Sequence, residues 1–348
     1  MTWMIYGAYG YTGRLVAALA TERGELPVLA GRDIRRLRDL GELFQLGHRA
    51  FDLADPSATR KGLEGIDAVA HCAGPFSATA APMVDACLAT GTHYLDITGE
   101  IDVFEAVLAR GPEAAGAGVT LLPGSGFDVV PSDCLAAMLA RALPDAVRLE
   151  LAIKMAGGVS PGTAKTAMES LGTPARARIG GAIGPVPADR RRRQVTFADG
   201  KATVFAIAWG DVSTAYHSTG IGDIVVYAAL PAAVGAISAV AQMAGPAARS
   251  GLVQGSLKRL VSRLPGPTAK ARSEGLGQLW GQVTDRNGKR LQGTVTTLNG
   301  YDLTADSVVR IAQQLAAGKV EPGALTPSQA FGADFVRELD GSEVSAIG

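Results

Sequence analysis

One stretch near the beginning of the sequence constrains the fold more than any other. A short apolar segment, Thr2–Tyr6, runs into three glycines spaced three residues apart, Gly7, Gly10 and Gly13, and a helical pattern follows over Arg14–Arg23. In such a strand–turn–helix, the glycines allow a tight turn and bring the backbone close to a phosphate, while the first helical N–H groups face the anion. The stretch therefore predicts a site for a dinucleotide pyrophosphate. Because the spacing is GxxGxxG and not GxGxxG, a glycine-rich turn in another α/β protein is the alternative.

Composition excludes several classes of protein. The 348 residues are enough for two domains. Because 33 basic residues balance 33 acidic ones, the chain offers no basic surface for a nucleic acid. Aromatic residues make up only 5% of the chain, so a platform for stacking bases is not expected either. The cysteines, Cys72, Cys87 and Cys134, show no metal-ligand spacing, and we expect no metal site. Their odd number and the absence of a signal-peptide pattern favour a cytoplasmic protein.

Strand and helix patterns alternate through the first half of the chain. Pro82 is expected in the first turn of one helix, which Gly91 ends. Repeated βα units predict a doubly wound parallel sheet in an α/β fold, with the ligand at the carboxyl ends of the strands. The predicted strands are Thr2–Tyr6, Pro27–Ala30, Arg49–Asp52, Ala68–Cys72, Tyr94–Ile97 and Val119–Leu122.

The end of the second predicted strand bears on the choice of cofactor. An NAD site usually carries an acidic side chain there, whereas this chain has Gly31-Arg32. A guanidinium group can pair with the 2′-phosphate of NADP, which a carboxylate would repel, so NADP is favoured. Asp33 could still reach a ribose, which leaves NAD as the alternative. The arginines that follow could equally form the exposed face of a helix: Arg35, Arg36 and Arg38.

The ends of the other strands supply further candidates for the cofactor site. Asp52-Leu53 is expected to border the adenine, and Ala73–Phe76 the pyrophosphate and nicotinamide ribose. Asp96–Glu100 and Pro123–Asp128 place polar groups where nicotinamide and substrate would meet, although helix or loop capping is an equal alternative. The predicted cofactor-binding residues are Gly7, Tyr9, Gly10, Tyr11, Thr12, Gly13, Gly31, Arg32, Asp52, Leu53, Ala73, Gly74, Pro75, Phe76, Thr98, Gly99, Phe127 and Asp128.

The short-chain dehydrogenases are one family that could carry such a site. Their chemistry needs a tyrosine and a lysine four residues apart on one face of a helix. None of the seven tyrosines of this chain has a lysine four residues later, so that mechanism is absent in its standard form.

Several separate motifs resemble another family. Gly7–Gly13, Ala30–Arg32, His93–Glu100 and Gly126–Asp133 look like the saccharopine dehydrogenase-like proteins, and more closely their bacterial trans-acting enoyl reductase branch; Trp209–Gly220 is similar to a segment of that branch. The resemblance covers most of the chain. It implies a Rossmann domain, a second domain with a mixed sheet, and NADP as cofactor. It does not imply saccharopine as the substrate.

The pattern changes in the second half of the chain. Two predicted strand pairs flank the turn signals Asp199-Gly200 and Asn287-Gly288, and helix is expected near Thr163–Ser170. These elements predict an α+β domain on a mixed or antiparallel sheet, of a kind that often forms a homodimer surface. We expect residues 1–130 to form the first domain, completed by 302–348, and residues 131–301 to form the second. The last residues, 344–348, are expected to fray.

Two stretches of the second half allow more than one interpretation. Arg190–Arg193 is expected to be a solvated loop, with contact to the phosphate of a carrier-bound substrate as the alternative. Residues 224–248 contain no charged residue. A buried or dimer-packing helix is favoured there. An apolar lid or a membrane-surface contact for a lipid-like substrate is the alternative, which would make the protein peripheral to the membrane.

Hydride transfer from a nicotinamide usually needs a proton donor as well. The candidates are Tyr216, His217 and Lys165, with Lys154 and Asp128 behind them. Reduction of an activated C=C bond in an apolar small-molecule substrate is the favoured function. An imine or opine-type oxidoreductase and an NADP-binding sensor without catalysis are the alternatives.

Overall fold

The computed structural model describes residues 1–156, 174–229 and 267–348. Within these ranges the chain forms two compact units. The first comprises Met1–Cys134 and Gly300–Asp340, and the second comprises Leu135–Asn299 and Gly341–Gly348. The helix predicted near Thr163–Ser170 lies outside the described residues, and so do Lys165 and residues 230–248.

The strands are β1 (Trp3–Tyr6), β2 (Val28–Gly31), β3 (His48–Ala50), β4 (Ala68–His71), β5 (His93–Asp96), β6 (Thr120–Leu122), β7 (Ala146–Met155), β8 (Arg176–Ile179), β9 (Ala182–Pro185), β10 (Arg192–Phe197), β11 (Gly200–Ala206), β12 (Asp223–Ala228), β13 (Leu276–Asp285), β14 (Arg290–Leu298), β15 (Gly323–Ala324) and β16 (Glu343–Val344). The α-helices are α1 (Tyr11–Glu22), α2 (Ile34–Phe44), α3 (Pro56–Leu63), α4 (Phe76–Thr90), α5 (Ile101–Leu108), α6 (Gly111–Gly116), α7 (Val130–Ala142), α8 (Asp211–Thr219), α9 (Ala269–Ser273), α10 (Gly300–Ala316) and α11 (Pro327–Phe331). Short 3₁₀ helices occupy Ala188–Arg190 and Ala333–Glu338.

The first unit is built on a parallel sheet. Its seven strands lie in the order β15-β6-β5-β4-β1-β2-β3, and Ile5 of β1 pairs with Leu29 on one side and Ala70 on the other. All of its strand pairs are parallel, which confirms the doubly wound sheet predicted from the sequence. The change of direction between β1 and β4 creates the crevice in which such sheets bind their ligands.

Burial explains why the central strands are apolar along their whole length. All four residues of β1 and all four of β4 are buried, because helices cover both faces of the sheet. Met4, Val69 and Met83 are fully buried in one cluster of the core. Complete burial of such a side chain contributes roughly 1.5–3 kcal/mol to folding. Pro82 lies inside α4 and not in its first turn as predicted, because that helix begins at Phe76.

The second unit is built on a mixed sheet, as the sequence predicted. Its main path runs β10-β11-β12-β7-β13-β14-β16, in which β12 and β7 are parallel and the other pairs antiparallel. The hairpin of β8 and β9 was missed by the sequence analysis. Its signal is Gly180-Gly181, since both glycines have positive φ and supply a two-residue turn.

Ile224–Tyr227 lies in β12 with its side chains buried, so these four residues of the uncharged stretch form a strand and not a helix. One prediction about the second unit is wrong. Residues 344–348 do not fray. Ser345 donates its backbone N–H to the Thr294 carbonyl at 2.9 Å, and Gly348 exchanges two backbone hydrogen bonds with Gln292 at 2.9 and 3.1 Å.

A buried ionic cluster fixes α1 to α10 within the first unit. The carboxylate of Asp306, whose side chain is 3% exposed, lies 2.6 Å from the Arg23 guanidinium and 2.7 Å from that of Arg310. Both arginines also pair with Asp340 at 2.9 Å, and the Asp340 backbone N–H donates to Asp306 at 2.8 Å. Asp306 therefore holds two helices and the chain after the last 3₁₀ helix in one arrangement.

We expect Asp306→Ala to destabilise the first unit by about 1–3 kcal/mol, because it removes the buried carboxylate that two partly buried guanidinium groups share and leaves them only the exposed Asp340. Denaturant unfolding of the purified protein measures the change. Arg337→Ala is the matched control, since it removes an exposed pair with Asp334 and should cost less than about 1 kcal/mol. Equal losses for the two variants would contradict the role given to Asp306.

Candidate dinucleotide-binding site

The glycine turn brings α1 into close contact with β1. Gly7 has a φ of +84°, and a β-carbon on it would lie 2.8 Å from the β-carbon of Ala73. A β-carbon on Gly13 would collide with the carbonyl oxygen of Gly7. Glycine is therefore required at both positions, and together they bring the start of α1 to the carboxyl end of β1.

The start of α1 differs from the starts of the next two helices. Asp33 accepts hydrogen bonds from the backbone of α2, and Asp55 does the same for α3. The residue before α1 is Gly10, which has no side chain that could cap the helix, and the first turn of α1 carries no acidic residue. A partly exposed helix start whose first turn carries no acidic residue favours a bound phosphate, so these residues fit the pyrophosphate of a dinucleotide.

A cleft of about 650 Å³ lies beside this turn at the ends of β2 and β3. Arg32, predicted for the 2′-phosphate, lines the cleft and is exposed to solvent. Arg35 and Arg36 line it as well, so they are more than the outer face of a helix. Asp33 uses one carboxylate oxygen to cap α2, at 3.0 and 3.2 Å, which weakens the case for an NAD ribose there. The full lining is Tyr9, Arg32, Asp33, Ile34, Arg35, Arg36 and Asp52.

The structure gives different surroundings to the two residues expected to border the adenine. Asp52 is exposed in the cleft and accepts a hydrogen bond from the Ala54 backbone at 3.0 Å. Leu53 is buried in the hydrophobic core, so its side chain packs against the sheet. A contact between Leu53 and a cofactor would therefore have to come from its backbone.

The loop after β4 is held by a carboxylate from another loop. The two oxygens of Glu100 accept hydrogen bonds from the backbone N–H groups of Phe76 and Ser77, both at 2.9 Å. The start of α4 is thus already paired with an anion, which the sequence analysis did not anticipate. Gly74 and Pro75 stay exposed and available to a ligand, whereas Phe76 is buried. We therefore expect the pyrophosphate at the start of α1 and not at the start of α4.

Asp96 joins the loops that follow β5 and β6. Its side chain is buried and accepts hydrogen bonds from the Tyr94 hydroxyl at 2.6 Å and from the backbones of Thr98 and Gly124 at 3.0 and 2.8 Å. Burial raises the pKa of Asp96 to about 6. Thr98 is buried too, and its hydroxyl accepts the Glu100 backbone N–H at 3.1 Å. The side chains of Asp96 and Thr98 therefore cap backbone N–H groups of these loops, which was the alternative to a role beside the nicotinamide.

Asp128 is the carboxyl group that this edge presents next to Gly99. A β-carbon on Gly99 would lie 3.0 Å from a carboxylate oxygen of Asp128. Burial raises the pKa of Asp128 to about 6, so the group can both donate and accept a proton near neutral pH. Phe127 is buried, and its backbone N–H donates to the Thr304 hydroxyl at 2.9 Å, which fixes the loop that carries Asp128.

Two histidines of the first unit, His71 at the end of β4 and His93 at the start of β5, have structural roles. His71 is fully buried and its Nε2 lies 3.0 Å from the Thr79 hydroxyl; burial lowers its pKa to about 3, so the ring stays neutral. His93 accepts the backbone N–H of Thr120 through Nδ1 at 3.0 Å. Across the described ranges, no group of three or more His, Cys, Asp or Glu side chains is arranged to hold a metal ion.

Two of the predicted proton donors lie on α8 in the second unit. The Arg178 guanidinium lies 4.2 Å from the centre of the Tyr216 ring and donates to the Val212 carbonyl at 3.0 Å. Tyr216 is partly buried, and the exposed ring of His217 lies 5.9 Å from it. The third donor, Lys165, lies outside the described residues, and a catalytic role for any of the three stays a prediction.

The basic run Arg190–Arg193, whose last two residues belong to β10, is not simply a solvated loop. Arg193 pairs with Glu150 at 2.5 Å and lies 4.7 Å from the Trp280 ring, while Arg190 lies 3.5 Å from Asp223. Both side chains are no more than a quarter exposed. Their carboxylate partners also reduce their capacity to bind the phosphate of a substrate. No helix in the described part of the chain is long and apolar enough to cross a membrane.

We expect Arg32→Ala to weaken NADPH binding about tenfold or more, since it removes a charge-assisted contact to the 2′-phosphate. NADH binding should change little, because NADH lacks that phosphate. Titration calorimetry with both cofactors measures the difference. Arg38→Ala is the control, as Arg38 is exposed but does not line the cleft. An equal loss of NADH affinity in Arg32→Ala would contradict this assignment.

Comparison with known proteins relates the first unit to a known NADP-binding domain. Residues 3–122 match the model of the saccharopine dehydrogenase NADP-binding domain. The chain is 36% identical over 141 residues to the trans-acting enoyl reductase of Mycobacterium leprae, covering 37% of this chain and 33% of that protein. It is 30% identical over 190 residues to a provisionally named trans-acting enoyl reductase of Mycobacterium tuberculosis, covering 49% of this chain and 44% of that protein. The match thus spans about a third of the length of the first of these relatives.

A solved structure shares the fold over nearly the whole chain. Saccharopine dehydrogenase (L-Glu forming) of Saccharomyces cerevisiae superposes with a TM-score of 0.64 over 99% of this chain and 100% of that one, at 13% identity. At such low identity the likeness concerns the fold alone. For the motifs that lie within residues 3–122, the resemblance is confirmed by the match to the saccharopine dehydrogenase NADP-binding domain.

Proposed function

We propose that this protein is an NADP-dependent oxidoreductase that reduces an activated C=C bond of an apolar, carrier-bound substrate. The observation that carries the proposal is the placement of one proton-donating group, Asp128, on the NADP-binding sheet. In a sheet of this order, the adenosine half of the cofactor lies towards β2 and β3 and the nicotinamide half towards β4, β5 and β6. Asp128 follows β6, on the side where a substrate would react.

The chain's own residues account for binding and for the proton. The first turn of α1 would hold the pyrophosphate, and Arg32 would pair with the 2′-phosphate. NADPH, when bound, would supply the hydride, which the carbon of the double bond farther from the activating carbonyl accepts. The nearer carbon then carries negative charge, and the neutral carboxyl group of Asp128 donates a proton to it. Asp128 is left as the carboxylate and regains its proton from solvent.

The names of the similar proteins support this reaction over the alternatives. The trans-acting enoyl reductases are the curated relatives that the chain matches at 30–36% identity. An opine-type reaction would need guanidinium groups free to bind substrate carboxylates. In the described part of the second unit, Arg190 and Arg193 are instead paired with Asp223 and Glu150. A homodimer, a cytoplasmic location and catalysis by Tyr216, His217 or Lys165 stay predictions.

The reaction is tested by following NADPH absorbance with a series of 2-enoyl thioesters of increasing chain length. We expect oxidation of NADPH that requires the double bond and becomes more efficient with longer acyl chains. The saturated thioester of each length is the matched control and should give no turnover. Turnover of a cyclic imine and not of any enoyl thioester would favour the opine-type alternative. Tight NADPH binding without turnover of either class would favour the sensor.

The proton donor is tested through the pH dependence of kcat/KM. With a pKa of about 6, Asp128 is neutral below that pH and loses its proton above it, so activity should fall as the pH rises through about 6. Asp128→Asn should lower kcat about 100-fold or more and remove this dependence. His217→Gln is the comparison, because unperturbed histidine titrates in the same range. An unchanged pH profile in Asp128→Asn would exclude Asp128 as the donor.

A further inference from the structure

The side chain of Tyr9 lies on the end of β2. A β-carbon on Gly31 would lie 2.6, 3.2 and 3.3 Å from Cε1, Cζ and the hydroxyl oxygen of Tyr9, and these are its three nearest neighbours. Gly31 does not have a positive φ, so its backbone conformation is open to other residues. The need for glycine at position 31 therefore comes from the Tyr9 ring.

Three contacts keep the ring in this place. The Tyr9 hydroxyl accepts the backbone N–H of Arg32 at 3.2 Å. The Arg36 guanidinium lies 4.4 Å from the ring centre and donates to the Tyr9 carbonyl at 3.3 Å. An aromatic ring held at its hydroxyl and on one face cannot turn away as a flexible chain would. A side chain added at Gly31 would therefore have to displace the ring and these contacts together.

The Tyr9 ring occupies space at the end of β2 that matters for the choice between NAD and NADP. The end of β2 is where an NAD-binding protein carries the acidic side chain that binds the ribose hydroxyls. Of the carboxylates beside it, Asp33 caps α2 and Asp52 accepts from the Ala54 backbone. We propose that Tyr9 determines the preference for NADP, by excluding an acidic side chain at position 31 and by holding Arg36 at the 2′-phosphate subsite.

The second part of this role follows from the charge of Arg36. Packing against a tyrosine face restricts a guanidinium group that would otherwise move freely in solvent. Only one of its donors is used by the Tyr9 carbonyl, which leaves others for a phosphate. Arg32 and Arg35 line the same cleft, so the ring keeps a third positive group beside them. The Tyr9 side chain thus excludes an acidic side chain at position 31 and keeps the Arg36 guanidinium group beside the other two arginines.

The test is a double-mutant cycle of Tyr9→Ala and Gly31→Asp, with NADPH and NADH affinities measured by calorimetry. Gly31→Asp alone should lower the thermal midpoint and weaken NADPH binding without improving NADH binding. Adding Tyr9→Ala should make room for the carboxylate. The NADPH-to-NADH preference of the double variant should then fall about tenfold or more beyond the product of the single effects.

A second measurement does not depend on the folding of the Gly31 variants. The fragments 2′,5′-ADP and ADP differ by the 2′-phosphate alone, so their affinity ratio reports on that subsite. Tyr9→Phe keeps the ring and should keep the ratio, whereas Tyr9→Ala should lower it about fivefold. The proposal is overturned if the ratio is the same in all three proteins. It is also overturned if Gly31→Asp alone gains NADH affinity with an unchanged thermal midpoint.

This inference rests on the NADP-binding domain and does not depend on the proposed reduction. The measurements need only binding, so they give an answer even if no enoyl thioester is turned over. Conversely, if Tyr9 had no effect on the cofactor preference, the proposed reduction would still be possible. The two failures are therefore distinguishable.

Discussion

The close approach of α1 to β1 is the constraint on which the first unit depends. At the start of the helix, Gly7 and Gly13 leave no space for side chains, so the first turn lies at the carboxyl end of the sheet. At its other end, Arg23 follows the helix and joins the buried carboxylate of Asp306. Fixing both ends sets the direction of the helix as well as its position. An anion-binding helix start needs this precision, because the field of the helix acts mainly within its first turn.

Carboxylates at the neighbouring helix starts complete the arrangement. Asp33, Asp55 and Glu100 accept backbone hydrogen bonds from α2, α3 and α4 respectively. Each places negative charge where a phosphate could otherwise bind. The first turn of α1 carries no acidic residue, and the Gly10 before it has no side chain that could act as a cap, which favours a dinucleotide phosphate at this helix. Carboxylates at the other helix starts thus contribute to the specificity of binding.

The sequence was sufficient for features set by local patterns. Buried strands such as Ala68–His71 and turn residues such as Gly91 follow from spacing and residue type, and they were predicted within one or two positions. Contacts between distant residues were not predictable in this way. Glu100 reaches α4 from 24 residues away, and nothing local distinguishes it from an ordinary surface acid. The same holds for Arg193, whose partner Glu150 lies on another strand.

Position 31 shows how such a contact changes the meaning of a motif. In the sequence, Gly31-Arg32 indicated NADP because an acid was missing and a base was present. The structure adds a reason for the missing acid, since the ring of Tyr9 occupies the space a side chain would need. Residues 9 and 31 therefore depend on each other although 21 residues separate them in the chain. Restoring an acid at position 31 while Tyr9 remains would introduce the charge that NAD requires without the room to place it. The preference for NADP follows from packing as well as from charge.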